Sequence, residues 1–153
     1  MNAAKAMVDI AEKECKAHGV PITEKRVNLF SILLQTQKAV SAYELADEYE
    51  RMFHEPVPVV TVYRVMEFLQ REHLVHKLET ANKFIVCSHI DCKKKHSASQ
   101  FLICRECFTV KELSVNSGKY EELKLMIQQA GFLLDSPQFE LNCICQSCHA
   151  KED

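Results

Sequence analysis

The run Val62-Tyr63-Arg64-Val65-Met66-Glu67-Phe68-Leu69-Gln70-Arg71 is followed by Leu74-Val75-His76-Lys77-Leu78-Glu79 and, across Thr80-Ala81-Asn82, by Lys83-Phe84-Ile85-Val86-Cys87. In the first run Val62, Val65, Met66 and Leu69 recur at i, i+3, i+4 and i+7, the spacing of one helix face. Arg64, Glu67 and Arg71 fall on the opposite side. After His73 the period changes, and the two short apolar runs around Thr80, Ala81 and Asn82 predict a hairpin. A helix that hands over to a small hairpin is the closing half of a winged helix-turn-helix, provided that further helices precede it.

Three do. Val8, Ala11 and Cys15 step along one face of a first helix, which Gly19-Val20-Pro21 stops. Thr23 is placed to cap a second, with Val27, Phe30 and Leu34 as its apolar face. Ser41-x-x-Glu44 reads as a capping box at the head of a third, carrying Ala42, Leu45, Ala46, Tyr49 and Phe53 at helical spacing. Pro56-Val57-Pro58 separates it from the fourth. Residues 1–87 are therefore expected to form a winged-helix DNA-binding domain. A purely structural helical bundle is the alternative that spacing alone leaves open.

Downstream, residues 88–97 form a polar hinge linker whose basic run Lys93-Lys94-Lys95 reads as solvated. Residues 98–153 predict a second, smaller α/β module. Gln100–Cys104 and Phe108–Leu113 read as strands, and residues 118–130 as a helix with Leu123, Met126, Ile127 and Ala130 on one face. Gly131 fits the C-cap, and Phe132–Asn142 returns as a strand broken near Ser136-Pro137. Such a β-β-α-β unit has sheet edges and little core. Pairing with a second copy of itself would bury both, so the module is read as a dimerisation domain and the chain as α+β.

Two pairs of cysteines punctuate this module: Cys104-Arg-Glu-Cys107 and Cys145-Gln-Ser-Cys148, with 37 residues between them. Each CxxC turn holds two sulfurs close enough for Zn–S bonds of about 2.3 Å, and two turns complete a tetrahedron. The long spacer must contain structure of its own. A redox CxxC or a disulfide pair is the competing reading, but neither needs a second matching pair. No uncharged apolar run approaches the ~20 residues of a membrane span, and charge enters too early in the first residues for a signal peptide. The chain is read as cytoplasmic, where its eight cysteines favour metal over disulfides. Net charge is −2, and residues 1–85 carry 11 Lys/Arg against 12 Asp/Glu. With no basic field, any nucleic acid must be recognised through locally placed residues and geometry.

A second donor set, His76, Cys87, His96 and Glu112, surrounds the linker. A two-residue turn at Ala81-Asn82 would set Thr80 opposite Lys83 and His76 opposite Cys87, with cross-strand Cβ atoms about 4.5–5.5 Å apart. A thiolate, two imidazoles and a carboxylate suit tetrahedral Zn²⁺, whereas an all-nitrogen/oxygen set would suit Fe²⁺ or Mn²⁺. His89, Cys92 and Cys143 are rival donors nearby. His149 and Cys15 carry no assignment.

The run Pro58-Val-Val-Thr61-Val62-Tyr63-Arg64 resembles the TVYR signature of the ferric uptake regulator superfamily. The likeness continues through Leu74-Val-His76-Lys77, Ile85-Val-Cys87, Cys104-x-x-Cys107, Val110-Lys-Glu112 and Cys145-x-x-Cys148. Within the superfamily the chain is most similar to the zinc uptake regulator branch. The His-His-Asp-His run that ferric regulators carry before the first CxxC is replaced here by Ser97-Ala-Ser-Gln100. The resemblance implies a homodimeric, zinc-responsive repressor of zinc acquisition genes, not an enzyme, with no membrane partner and no small-molecule substrate. It implies two Zn²⁺ per chain: a structural ion on Cys104, Cys107, Cys145 and Cys148, and a regulatory ion on His76, Cys87, His96 and Glu112. It further implies double-stranded DNA with a palindromic operator, contacted by Thr61, Tyr63, Arg64 and Lys77. Lys25 and Arg26 are additional phosphate candidates. A sibling regulator sensing iron, manganese or peroxide is the alternative, and Cys87 is the residue that discriminates.

Overall fold

The computed structural model describes residues 2–36, 38–88, 90 and 99–151. They fall into two compact units, Met1–Lys93 and Lys94–Asp153.

The first unit runs α1 (Asn2–Ala17), α2 (Glu24–Gln35), α3 (Ala42–Phe53), α4 (Val59–Arg71), β1 (Val75–Leu78) and β2 (Lys83–Val86). Each boundary has a chemical cause. Gly19 takes the left-handed conformation (φ 73°) just past α1, and the Val20 N–H reaches back to the Cys15 carbonyl at 2.9 Å. The Thr23 hydroxyl accepts from the Arg26 N–H and opens α2. At α3 the capping box forms in both directions: Glu44 N–H to Ser41 Oγ at 3.1 Å, and Ser41 N–H to Glu44 Oε2 at 3.3 Å. Pro58 caps α4, where its missing N–H costs nothing.

The core is drawn from the anticipated faces, with two adjustments. In α2 the buried stripe is Leu29, Phe30, Ile32 and Leu33, so Val27 and Leu34 lie at its margins. In α3, Phe53 is 37% exposed and rests its ring on Tyr49, centroids 4.8 Å apart. Val62, Val65, Met66 and Leu69 of α4 are all buried, together with Phe68, while Arg64, Glu67 and Arg71 are exposed. Arg26 is occupied within the unit. Its guanidinium lies 3.7 Å above the Phe68 ring centre and donates to the Pro21 carbonyl, which makes it a packing cation.

The hairpin exists, but its register differs from the expected one. His76 faces Ile85 and Leu78 faces Lys83, and the Cys87 N–H donates to the Leu74 carbonyl. The connection therefore spans Glu79 to Asn82, with Asn82 left-handed at φ 49°. Ala-Asn is a poor two-residue turn, because such turns need residues tolerant of positive φ. The longer loop slips the pairing by two residues, which preserves which side chains share a face. Val40 joins the hairpin through two backbone bonds to Phe84, at 3.0 and 2.7 Å.

The second unit comprises β3 (Ser99–Cys104), β4 (Val110–Ser114), α5 (Ser117–Gln129), β5 (Gln138–Cys143) and α6 (Gln146–His149). The sheet order is β4-β3-β5, with β3 antiparallel to β4 and parallel to β5. Two strand starts differ from expectation by more than one residue. Phe108 sits in the turn with φ 58°, so β4 starts at Val110. Residues 132–137 are not strand, since Pro137 offers no N–H for a ladder and pairing begins at Gln138. The short α6 was not anticipated. Tyr120 of α5 meets Phe139 of β5 edge-on, centroids 6.2 Å apart, yet α5 buries no residue fully. Among the described residues, no helix is long and apolar enough to cross a membrane.

One surface contact ties the ends of α1 and α4 together: His18 Nδ1 lies 2.8 Å from Glu72 Oε2. Hydrogen bonding to Glu72 raises the His18 pKa above its ordinary 6.5, against the smaller opposing effect of burial. A raised imidazole contributes stability that is complete below its unfolded pKa and fades as pH rises through the folded one. Glu72→Gln should therefore return the His18 pKa toward 6.5 by NMR titration. It should lower the melting temperature below about pH 6.5 and leave it unchanged at alkaline pH. A pH-independent loss would contradict this clasp.

Candidate metal centre and DNA face

Cys104 ends β3, and Cys107 follows in the turn toward β4. Cys145 caps α6 just beyond β5, and Cys148 lies within α6. Because β3 and β5 are parallel neighbours, their ends lie side by side: Cys104 pairs with Cys143, and the Arg105 N–H donates to the Cys143 carbonyl at 3.0 Å. This brings both CxxC turns to one end of the sheet. The four sulfurs all lie within 4.8 Å of one another, with Cys107 and Cys145 3.7 Å apart. Four sulfurs around zinc with bonds of about 2.3 Å would be spaced by roughly 3.8 Å, so the set fits a tetrahedral ion. All four thiols are free of disulfides.

Their proton affinities differ sharply. The Cys145 N–H, 3.3 Å from Cys104 Sγ, leads a group of backbone donors that hold Cys104 down to about 6. Hydrogen bonding with Thr109 lowers Cys107. Cys148, hydrogen-bonded to Cys145 and Cys107 and partly desolvated, is pushed up to about 12. Four adjacent thiolates cannot coexist without a cation, so metal loading must expel protons. Cys143 lies on β5 outside the four, and Cys15 is fully buried in the first unit's core.

On the hairpin, His76 and Cys87 are diagonal neighbours on one face, not the direct cross-strand pair expected. Their donor atoms still lie within 4.8 Å of each other, and Cys87 is buried. Glu112 lies on β4 opposite Phe101 and is hydrogen-bonded by the Ser99 hydroxyl at 3.3 Å. His96, and the rival donors His89 and Cys92, lie outside the described residues.

At the head of α4, Arg64 is exposed and Thr61 half-buried. Tyr63 is half-buried as well. Its ring meets Phe84 of β2 edge-on at 6.2 Å, and its hydroxyl accepts from Asn82 Nδ2 at 3.4 Å, so Tyr63 fastens the wing to α4. Lys77 lies 3.7 Å from Glu79. Lys83 donates to Glu44 at 2.9 Å, joining the wing to the head of α3. Tyr43, one residue from Glu44, is 62% exposed and Val60 61%. Sequence reading passed over both, and an aromatic off the apolar stripe was the available signal for Tyr43.

Residues 17–142 match the ferric uptake regulator family. The chain belongs to that family. It is 30% identical to the zinc uptake regulation protein of Escherichia coli K12 over 138 residues, covering 90% of this chain and 78% of that protein. Among solved structures it is similar to a zinc uptake regulator complexed with zinc and DNA, with TM-score 0.84, 27% identity and 97% of each chain covered. It is also similar to holo XcZur, with TM-score 0.76, 30% identity, and 95% and 98% of the two chains covered. This is a family of transcription regulators, and its fold includes the helices and sheet described above.

If the four sulfurs staple the second unit, Cys148→Ser should lose tightly bound metal, melting temperature and dimer content together, as read by metal analysis, calorimetry and light scattering. A Cys148→Ser protein as stable and as dimeric as wild type would contradict a structural role.

Proposed function

We propose that the chain is a zinc-responsive, DNA-binding repressor of zinc acquisition genes that acts in the cytoplasm as a homodimer on a palindromic operator. The observation that carries this reading is the thiol of Cys87 beside His76 on the wing of a winged helix. A thiolate is the donor that selects Zn²⁺ over Fe²⁺ or Mn²⁺. The names of the zinc uptake regulators to which the chain is similar support the same conclusion.

Each chain holds two zinc ions in this account. Cys104, Cys107, Cys145 and Cys148 hold the structural one, whose binding energy is folding energy. His76, Cys87, His96 and Glu112 hold the regulatory one. Bound there, zinc would supply the positive charge that holds these donors together. His76 must enter as a neutral imidazole and Cys87 as a thiolate, so acid opposes the response. To regulate, the site must favour the DNA-competent arrangement of the chain over its alternatives. With all four positions taken by protein, it also leaves no open coordination site of the kind catalytic zinc requires.

The division is 1–87 for DNA binding, 88–97 as hinge and 98–153 for dimerisation and metal. Leu125, Met126, Phe132 and Leu133, each more than half exposed in the second unit, are the apolar surface that a second copy would cover. Arg64, exposed on α4, would pair with guanine in the major groove, while Thr61, Tyr63 and Lys77 would contact the DNA around it.

Two substitutions test this. Cys87→Ser should remain folded and dimeric with one tightly held zinc per chain, yet lose zinc-dependent operator binding at free zinc that saturates wild type. A wild-type zinc response would remove Cys87 from the site. Arg64→Ala should keep the fold and both zincs but lose roughly 1–3 kcal/mol of sequence preference. Unchanged discrimination between operator and unrelated DNA would mean that α4 is not the reader.

A further inference from the structure

Ser99 is the one buried polar side chain among the described residues. It opens β3, the central strand, with backbone neighbours on both sides: Ser114 of β4 and Gln138 of β5. Along β3 the buried positions alternate as Ser99, Phe101 and Ile103, so Ser99 shares its side of the strand with two buried apolar side chains. A hydroxyl there is unfavourable unless it is hydrogen-bonded. Its partner is fixed by the sheet. Glu112 faces Phe101, which makes it the diagonal neighbour of Ser99 on the same face, and Ser99 Oγ donates to Glu112 Oε1 at 3.3 Å. A serine has a single proton to give, and here it goes to one named oxygen of one carboxylate.

We propose that Ser99 is a positioning residue for the regulatory metal. By engaging Oε1 of Glu112, it orients the carboxylate to bind through its other oxygen alone, and so favours four-coordinate zinc over larger shells. This rests on the reading of Glu112 as a regulatory ligand. Partners that orient ligating carboxylates and imidazoles typically change metal affinity by about 10–100-fold when removed. The chemistry also bears on selectivity. A carboxylate free to turn can chelate through both oxygens, which suits metals that prefer more than four oxygen-rich donors. One pinned through a hydrogen bond to Oε1 supplies one donor and completes a tetrahedron.

The test uses the full-length dimer with its structural site filled by zinc. Second-site affinity is measured by chelator competition, and second-site coordination by the visible absorption of Co²⁺ placed there. Ser99→Ala should keep its dimer content and structural zinc, bind regulatory zinc about 10–100-fold more weakly, and lose intensity in the tetrahedral Co²⁺ bands. Ser99→Thr, which keeps the hydroxyl, should stay near wild type in both readouts. Ser99→Ala added to Glu112→Ala should cause no further loss of affinity, because the serine acts only through that carboxylate. Wild-type affinity and Co²⁺ spectrum in Ser99→Ala would overturn the proposal, as would an equal loss in Ser99→Thr or additive losses in the double variant. Should Glu112→Ala itself bind regulatory zinc like wild type, the ligand reading falls first. That outcome is distinct from a strong Glu112→Ala defect beside an unaffected Ser99→Ala.

Discussion

Four sulfurs at the ends of two neighbouring parallel strands are the constraint on which the second unit depends. Its sheet has three strands, its helix α5 buries no residue fully, and a run of large apolar side chains stays exposed. A unit this small rarely supplies enough core to hold itself together. A metal held by the four sulfurs would compensate by joining the β3–β4 turn to the segment that leaves β5, the two places where the sheet would otherwise fray. The same arrangement explains the uneven proton affinities. Cys104 is drawn down by backbone N–H groups aimed at it, while Cys148 is held up by its thiol neighbours. A divalent cation resolves that tension by making all four acceptors.

In the first unit the wing packs two proposed metal donors close to the proposed DNA reader. His76 and Cys87 belong to the hairpin whose Phe84 meets Tyr63, and whose Asn82 donates to the Tyr63 hydroxyl. Tyr63 is adjacent to Arg64 at the exposed head of α4. The Lys83–Glu44 bond joins the same hairpin to the head of α3, where Tyr43 is exposed. Two of the proposed donors, His76 and Cys87, thus belong to the same packed unit as the proposed reader.

Much of this was legible in the sequence, for physical reasons. The α4 face, the capping box at Ser41 and the glycine after each of α1 and α5 are local signals, set by spacing and backbone conformation within a few residues. The four-cysteine cluster was legible because two CxxC turns have few other uses together. The hairpin register was not, because it depends on loop length, and Ala-Asn lacks the chemistry of a tight two-residue turn. The half-buried Tyr63, the stacking of Arg26 on Phe68 and the bond from Ser99 to Glu112 arise between segments distant in sequence. Periodicity cannot see them. The expected apolar face of α5 is largely exposed within one chain, Leu123 and Met126 included, since periodicity says what wants cover and not what provides it.

The central claim is that Cys87 and its partners make this chain respond to zinc. The most direct test is operator binding by the purified protein, titrated against buffered free Zn²⁺, Fe²⁺ and Mn²⁺ in parallel. The account predicts that zinc switches on binding at far lower free concentration than either other metal, and that chelation reverses it. Binding switched on by iron or manganese at lower free concentration than zinc, or binding indifferent to metal, would contradict it.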